Sequence, residues 1–287
     1  MNTVRKPAVA GTFYPADPDE LRGMLQGYMR EASPPEAAPR AMILPHAGYI
    51  YSGPVAASGY SCLQKHSDAF SRVVLLGPAH RVPFRGIAAP SSAKFMTPLG
   101  AVAIDQDAVE RLLALPQVHV LDEAHRMEHS LEVHLPFLQV SLGKFTLVPL
   151  VVGEAGAKEV CEVIEALTRE AGTLVIVSSD LSHYHDYATA RRLDAATTRT
   201  IEALDFDSLG YDQACGRNPV SGLLLYARRH GLSVTTLDLR NSGDTAGPHD
   251  QVVGYGAYAF SGCPHGLHAC RAGPPARDCL QFDQARS

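Results

Sequence analysis

Short apolar runs rich in β-branched residues recur along the chain, at Ala41 to Leu44, Val73 to Leu76, Phe145 to Val152, Leu174 to Val177 and Val234 to Leu239. Segments with helical spacing lie between several of them: Val55 to Leu63, Asp107 to Leu115, Ser130 to Leu138, Ala157 to Glu170, Ala188 to Leu204 and Ser221 to His230. Apolar runs without alternation mark strands buried on both faces, and strands separated by helices force parallel pairing through crossovers. The expected fold class is therefore α/β, a single domain with a largely parallel central sheet flanked by helices. A first helix is expected after Asp17, which stands as N-cap before Pro18 and Glu20, with Leu21, Met24 and Leu25 on one face. A last strand is expected over Val252 to Phe260, where Gly254 and Gly256 signal close packing or a bend.

No repeat and no composition break divides this pattern, so the domain is expected to span 1–262, with a Pro- and Ala-rich linker from Ser33 to Arg40. Residues 263–287, rich in Gly, Pro, Cys and Arg, are expected to form a disordered tail outside the fold; the spacing of Cys263, His265, His268 and Cys270 fits no familiar zinc module. The net charge of -5 and the absence of a Lys/Arg cluster argue against nucleic acid as a partner. No apolar run reaches the ~20 residues that span a bilayer, and Met1 to Arg5 is not followed by an apolar leader, so a cytoplasmic protein without a membrane partner is expected. The cysteines at 62, 161, 215, 263, 270 and 279 form no C-x-x-C pair, and reduced thiols are the default. Cys215, before Gly216-Arg217-Asn218-Pro219, has no base argued beside it and is not read as a nucleophile.

The 13 histidines carry more information. In open α/β sheets ligands gather beyond the carboxyl ends of the strands. There AMIL leads to His46, VVLL to His80, LVIV to Asp180 and His183, and TTLDL to Asp244. Two imidazoles and one carboxylate that leave open positions suit a non-haem iron(II) centre, and a further histidine can then transfer protons. His46, His80 and Asp244 are accordingly the expected metal ligands and His183 the expected acid or base. Asp180 reads equally as a helix cap or as a supporting acid. Tyr49 and Tyr51, close to His46, read equally as pocket lining or as packing.

The segment DEAHRMEHSLEVHLPF offers a competing chemistry. On a continuous helix His125, Glu128, His129 and Glu132 share one face, and HRMEH matches the H-x-x-E-H pattern of inverted zincins. The same helix can instead supply His129 to the chemistry and Glu132 to the rim of the strand-end site. His134 and His185 are expected to be peripheral, and Gly48, Gly53 and Gly59 do not form a dinucleotide-binding G-x-G-x-x-G.

Several motifs in one order, AGTFYPADPDEL, LPHAGYIYSGPVAA, LLGPAH, EHSLEVHLPFLQ, SSDLSHY, NSGDTAG and VVGYGAYAF, resemble the Memo-like family, called AmmeMemoRadiSam system protein B in bacteria and archaea. The resemblance covers Arg5 to Phe260. It implies a fold similar to that of class III extradiol ring-cleavage dioxygenases, with His46 and His80 as the histidine ligands of the metal and His183 as the catalytic acid or base. Some members have a cysteine in the stretch that here reads LRNSGDT, and this chain has none there; with Asp244 supplying a carboxylate, the donor set favours iron over copper. The resemblance further implies a divalent metal ion, iron(II) first with copper or zinc as alternatives, and a dioxygenase or other oxidoreductase activity on a small phenolic molecule. Its other implications are a ligand- or peptide-binding adaptor role and association with AMMECR-type and radical-SAM proteins.

Overall fold

The computed structural model describes residues 3–32 and 37–262, and the expected tail and part of the expected linker lie outside them. In chain order the elements are β1 (Val4–Arg5), α1 (Pro18–Glu31), β2 (Ala41–Leu44), α2 (Tyr49–Gln64), β3 (Arg72–Pro78), β4 (Ile87–Ala89), β5 (Lys94–Thr97), β6 (Gly100–Ile104), α3 (Gln106–Leu112), β7 (Val118–Val120), α4 (Asp122–Arg126), α5 (His134–Leu142), β8 (Thr146–Val152), α6 (Ala157–Leu167), β9 (Thr173–Ser178), β10 (His183–His185), α7 (Tyr187–Glu202), α8 (Arg217–Arg229), β11 (Leu232–Asn241) and β12 (Val252–Gly262). Asp17 caps α1 as its sequence predicts, accepting from the amides of Asp19 and Glu20.

The apolar runs form the centre of a 12-stranded sheet. Strands β6, β8, β3, β9 and β2 are parallel neighbours in that order. Strand β12 runs antiparallel to β2, and β11 antiparallel to β12, so β11 points the same way as β2. Every residue of β2 is buried, as is all of β3 and β8 beyond the first residue of each, because helices cover both faces. Helices α1, α2 and α5 pack on one another, α6 packs on α8, and α7 packs on β11 and β12. Among the described residues no helix is long and apolar enough to cross a membrane.

The structure departs from the sequence pattern in three places. Strands β1, β4, β7 and β10 are two or three residues long and leave no periodic trace, and the β5–β6 hairpin falls in a stretch that shows no helical or strand period. Helix α2 begins at Tyr49, six residues before the expected start, and carries Pro54 within it. The third departure bears on function: DEAHRMEHSLEVHLPF is not one helix. It forms α4, a non-helical stretch from Met127 to Val133, and α5, so the shared helical face of His125, Glu128, His129 and Glu132 does not exist.

Candidate metal centre

The ends of β2, β3 and β9 reach one cavity of about 1140 Å³, lined by His46, His80, His129, Asp180, His183 and Cys215 among others. His46 is 2% exposed. Its backbone amide donates to Asp180 Oδ1 at 2.8 Å, and its ring Nδ1 lies 2.6 Å from Ser178 Oγ. His80 is held from the other side by Glu128, whose Oε2 accepts the His80 amide at 2.6 Å while Oε1 lies 2.9 Å from its ring Nδ1. Both rings therefore engage Nδ1 within the protein, which leaves Nε2 as the nitrogen for a ligand. The two rings sit edge to face with centroids 5.1 Å apart.

The third donor of this group is Cys215, which arrives from the loop before α8. Its Sγ lies 3.4 Å from His46 Nε2 and accepts the Asp180 amide at 3.3 Å. The loop approaches so closely that a Cβ on Gly216 would stand 2.5 Å from the Ser178 carbonyl oxygen, which requires glycine there. One donor atom from each of His46, His80 and Cys215 falls within 4.8 Å of the others. Imidazole and thiolate donors bind zinc-like ions at about 2.0–2.3 Å and so sit roughly 3–4 Å apart around one ion. The residues fit a metal ion after small adjustment.

Burial and crowding by other imidazoles set the electrostatics. Burial, joined by His80, His129, His134 and His183, holds the His46 imidazole well below its ordinary value, so it stays neutral and available as a ligand. His129 stacks on His80 with centroids 4.8 Å apart, and burial lowers it to about 4. Burial raises Asp180 to about 6, although the His46 amide and the His183 and His80 rings pull the other way. Burial also pushes the Cys215 thiol up, with Asp180 adding to the effect, so a bound cation is what would draw off its proton. His183 hydrogen-bonds through Nδ1 to the Leu181 carbonyl at 2.8 Å, which leaves Nε2 as its other nitrogen in the cavity wall.

Of the residues expected from the sequence, His46, His80, His129, Asp180 and His183 thus meet in one cavity, and Asp244 does not. Asp244 is exposed and closes a 3-10 turn at the end of β11. Its Oδ2 accepts the Asn241 amide at 2.9 Å and its Oδ1 the Tyr187 hydroxyl at 2.6 Å, while Ser242 is the turn residue that lines the cavity. Glu132 leaves the site as well: it accepts from Arg5 Nη1 and the Ala8 amide, both at 2.7 Å, from Tyr14 Oη at 2.6 Å and from the Val9 amide at 3.0 Å, and so clamps the N-terminal arm. Tyr49 is core, its hydroxyl donating to the Val133 carbonyl at 2.5 Å, whereas Tyr51 lines the cavity. His185, expected to be peripheral, lines the cavity too, and His134 is buried against Tyr60.

His125 hydrogen-bonds through Nε2 to the Ala88 carbonyl at 2.9 Å and belongs to no ligand group among the described residues. The zincin geometry of HRMEH is therefore absent. A second group, His80, Glu128 and His129, has donors as close together. There Glu128 already accepts the amides of His80, His129 and Ser130 and faces His80 Nδ1, so it orients the site rather than offering a free ligand. Sequence reasoning missed Cys215 because it follows no strand; the adjoining Gly216, which admits the loop to the end of β9, was the available signal.

Comparison with known proteins agrees with the motif content. The sequence profile of the Memo-like protein family matches residues 5–259. A MEMO1 family protein of Thermoplasma volcanium is 34% identical, over 88% of this chain and 96% of its own length. One from Aquifex aeolicus is 36% identical over 88% of this chain and 97% of its own. A third, from Methanopyrus kandleri, is 36% identical over 89% and 98%. An uncharacterized protein of Escherichia coli K12 with a solved structure is 15% identical at a TM-score of 0.47, covering 76% of this chain and 98% of its own. On the strength of the profile and of relatives matched over nearly their whole length, this chain belongs to the Memo-like family.

Proposed function

We propose that the protein is a metal-dependent oxidoreductase whose centre is held by His46, His80 and Cys215. The observation that supports this most directly is the convergence of two imidazoles, each with Nδ1 already engaged, on one thiol 3.4 Å from His46 Nε2. A protein-bound ion of this kind supplies Lewis acidity and, with iron or copper, electron transfer. Two imidazoles are compatible with iron(II), which the dioxygenase resemblance implies; the thiolate moves the donor set toward copper or zinc, away from the all-oxygen and nitrogen triad expected with Asp244.

The chain's own residues support the remaining roles. Phe13, Tyr51, Tyr211 and Tyr255 line the cavity and suit a small phenolic molecule. Tyr184 joins them at its rim in the left-handed region at φ 60° and is 72% exposed. Non-glycine residues rarely adopt that conformation except where the surroundings impose it, often at functional sites. Asp180, raised to about 6, and the adjacent His183 and His129 are the groups placed to hold or move a proton within the cavity.

The test is metal analysis of purified protein, followed by anaerobic reconstitution with iron(II), copper and zinc. One ion per chain is expected, lost in His46→Ala, His80→Ala and Cys215→Ser. Binding of no ion under any of these conditions overturns the reading. Oxygen consumption with a panel of phenols then decides between an oxidoreductase and a protein that keeps the metal only to bind a ligand.

A further inference from the structure

The two histidines of the centre are joined, outside the cavity, by hydrogen bonds that run through buried Ser178, the Ser130 backbone and Glu128. His46 Nδ1 lies 2.6 Å from Ser178 Oγ; Ser178 Oγ donates to the Ser130 carbonyl at 2.6 Å; the Ser130 amide donates to Glu128 Oε1 at 2.9 Å; and that same oxygen lies 2.9 Å from His80 Nδ1. Ser178 and Ser130 are fully buried and Glu128 is 2% exposed, so water has no access to the links between them, while His80 at the far end reaches the surface. Ser130 is itself tied to the end of β3, its hydroxyl donating to the Pro78 carbonyl at 2.9 Å. A Cβ on Gly77 would stand 2.8 Å from Ser130 Oγ, so the glycine of LLGPAH makes room for the link.

The proton positions along this chain follow from donor and acceptor counting. A serine hydroxyl has one hydrogen. If Ser178 spent it on His46, its oxygen would face the Ser130 carbonyl at 2.6 Å with no proton between two acceptors, an unpaired buried contact. Ser178 therefore gives its hydrogen to Ser130, and His46 must donate from Nδ1. At the other end a carboxylate accepts only, so His80 also carries its hydrogen on Nδ1. Both rings are left with a lone pair on Nε2.

We infer that Ser178, acting through Ser130 and Glu128, is a positioning residue that sets the tautomer of His46 and couples its orientation to that of His80. This rests on the metal-centre reading above for its use, though not for its geometry. Hydroxyl, carbonyl and carboxylate partners of this kind commonly fix the ligating nitrogen of metal-bound histidines, and losing one weakens metal binding about 10–100-fold.

The experiment uses the full chain labelled with ¹⁵N at histidine, free of metal, with the His46 signals assigned by their loss in His46→Gln. Long-range proton–nitrogen correlation is expected to show His46 protonated at Nδ1 in the unaltered protein. In Ser178→Ala the Nε2–H form should gain population, and zinc(II) and cobalt(II) should bind roughly 10–100-fold more weakly by chelator competition. Ser178→Thr, which keeps the hydroxyl, should restore both. An Nε2–H tautomer in the unaltered protein overturns the inference, and this outcome needs no variant to fold. An unchanged tautomer in folded Ser178→Ala also overturns it. Should the protein bind neither ion, the metal-centre reading fails, while the tautomer measurements still decide the positioning role of Ser178.

Discussion

Glu128 and Glu132 stand four residues apart and both are buried, at 2% and 0% exposure, yet they organise different parts of the molecule. Glu128 stands behind the site, gathering the amides of His80, His129 and Ser130 and the His80 ring. Glu132 faces away and holds the N-terminal arm through Arg5, Ala8, Val9 and Tyr14. Arg5 bridges the two regions, since its Nη2 donates to the Glu128 carbonyl at 2.6 Å and its Nε to the His125 carbonyl at 2.7 Å. The divergence arises because helix stops at Met127, and an irregular turn sends successive carboxylates in different directions. A buried carboxylate serving a ligand histidine and one serving a scaffold should fail differently when altered.

The largest expected effect is on the scaffold side. In Glu132→Gln the Arg5 guanidinium, itself only 8% exposed, keeps its charge without a counter-ion. Breaking a buried pair in this way costs about 3–5 kcal/mol. Urea unfolding should show that loss, while the protein that remains folded binds metal with unaltered affinity. A tenfold weaker metal affinity would show that the two carboxylates are not functionally separate.

The second effect tests the imidazoles that flank the same two carboxylates. Burial lowers His125 and His129 to about 4 and His134 to about 3. A histidine whose folded value lies below its unfolded one takes up a proton on unfolding, so stability is lost as pH falls below 6.5 toward those values. Glu128, which the His80 ring and nearby amides hold at about 2 against the push of burial, adds a loss in the same direction, below 4.5. Asp180 and Asp194, both raised by burial, oppose it. These three imidazoles, with His46 lowered alongside them, outweigh the two acids, and unfolding free energy should fall by at least about 2–4 kcal/mol between pH 7 and pH 5, at 1.36 kcal/mol per unit for each group. Denaturant titrations across that range check the sign; a rise in stability on acidification would show that these rings are not held neutral.

On the site side, Glu128→Gln replaces one accepting oxygen by a donor that must face an amide or the His80 ring. A loss of about 1–3 kcal/mol is expected from the unmet groups. Metal affinity should fall about 10–100-fold, because the His80 ring loses the partner that fixes its tautomer. The pair of variants thus dissociates two readouts: large destabilisation with intact metal binding for Glu132, and smaller destabilisation with weakened binding for Glu128.

What the sequence made legible follows the same division. The parallel core was readable because β2, β3, β8 and β9 are buried on both faces and so lack polar interruptions. His46 and His80 were readable because strand direction alone brings the residues after β2 and β3 to one edge. Glu128 and Glu132 were not, since nothing in the hydrophobic period of DEAHRMEHSLEVHLPF reveals that Arg5, 120 and more residues away, claims the backbone of 125–128 and ends the helix there. Cys215 was hidden for a related reason: its position depends on a loop seated against Ser178 and Ser179, a contact with no local signature beyond Gly216.

The smallest expected effect concerns Asp244, where sequence and structure part most clearly. The strand-end rule places it correctly at the sheet edge that bears the site, because β11 points the same way as β2. The last turn then decides its role. Asn241 Oδ1 accepts the Gly243 amide at 2.9 Å and Asp244 Oδ2 accepts the Asn241 amide, a reciprocal cap that commits the carboxylate to its own backbone and to Tyr187. Asp244→Asn retains an acceptor for that cap on an exposed residue, and should cost under about 1 kcal/mol. Metal stoichiometry and affinity should be unchanged, in contrast to Cys215→Ser. If instead Asp244→Asn releases the ion while Cys215→Ser keeps it, the carboxylate is the third ligand after all, and the turn at 242–244 must open when metal binds.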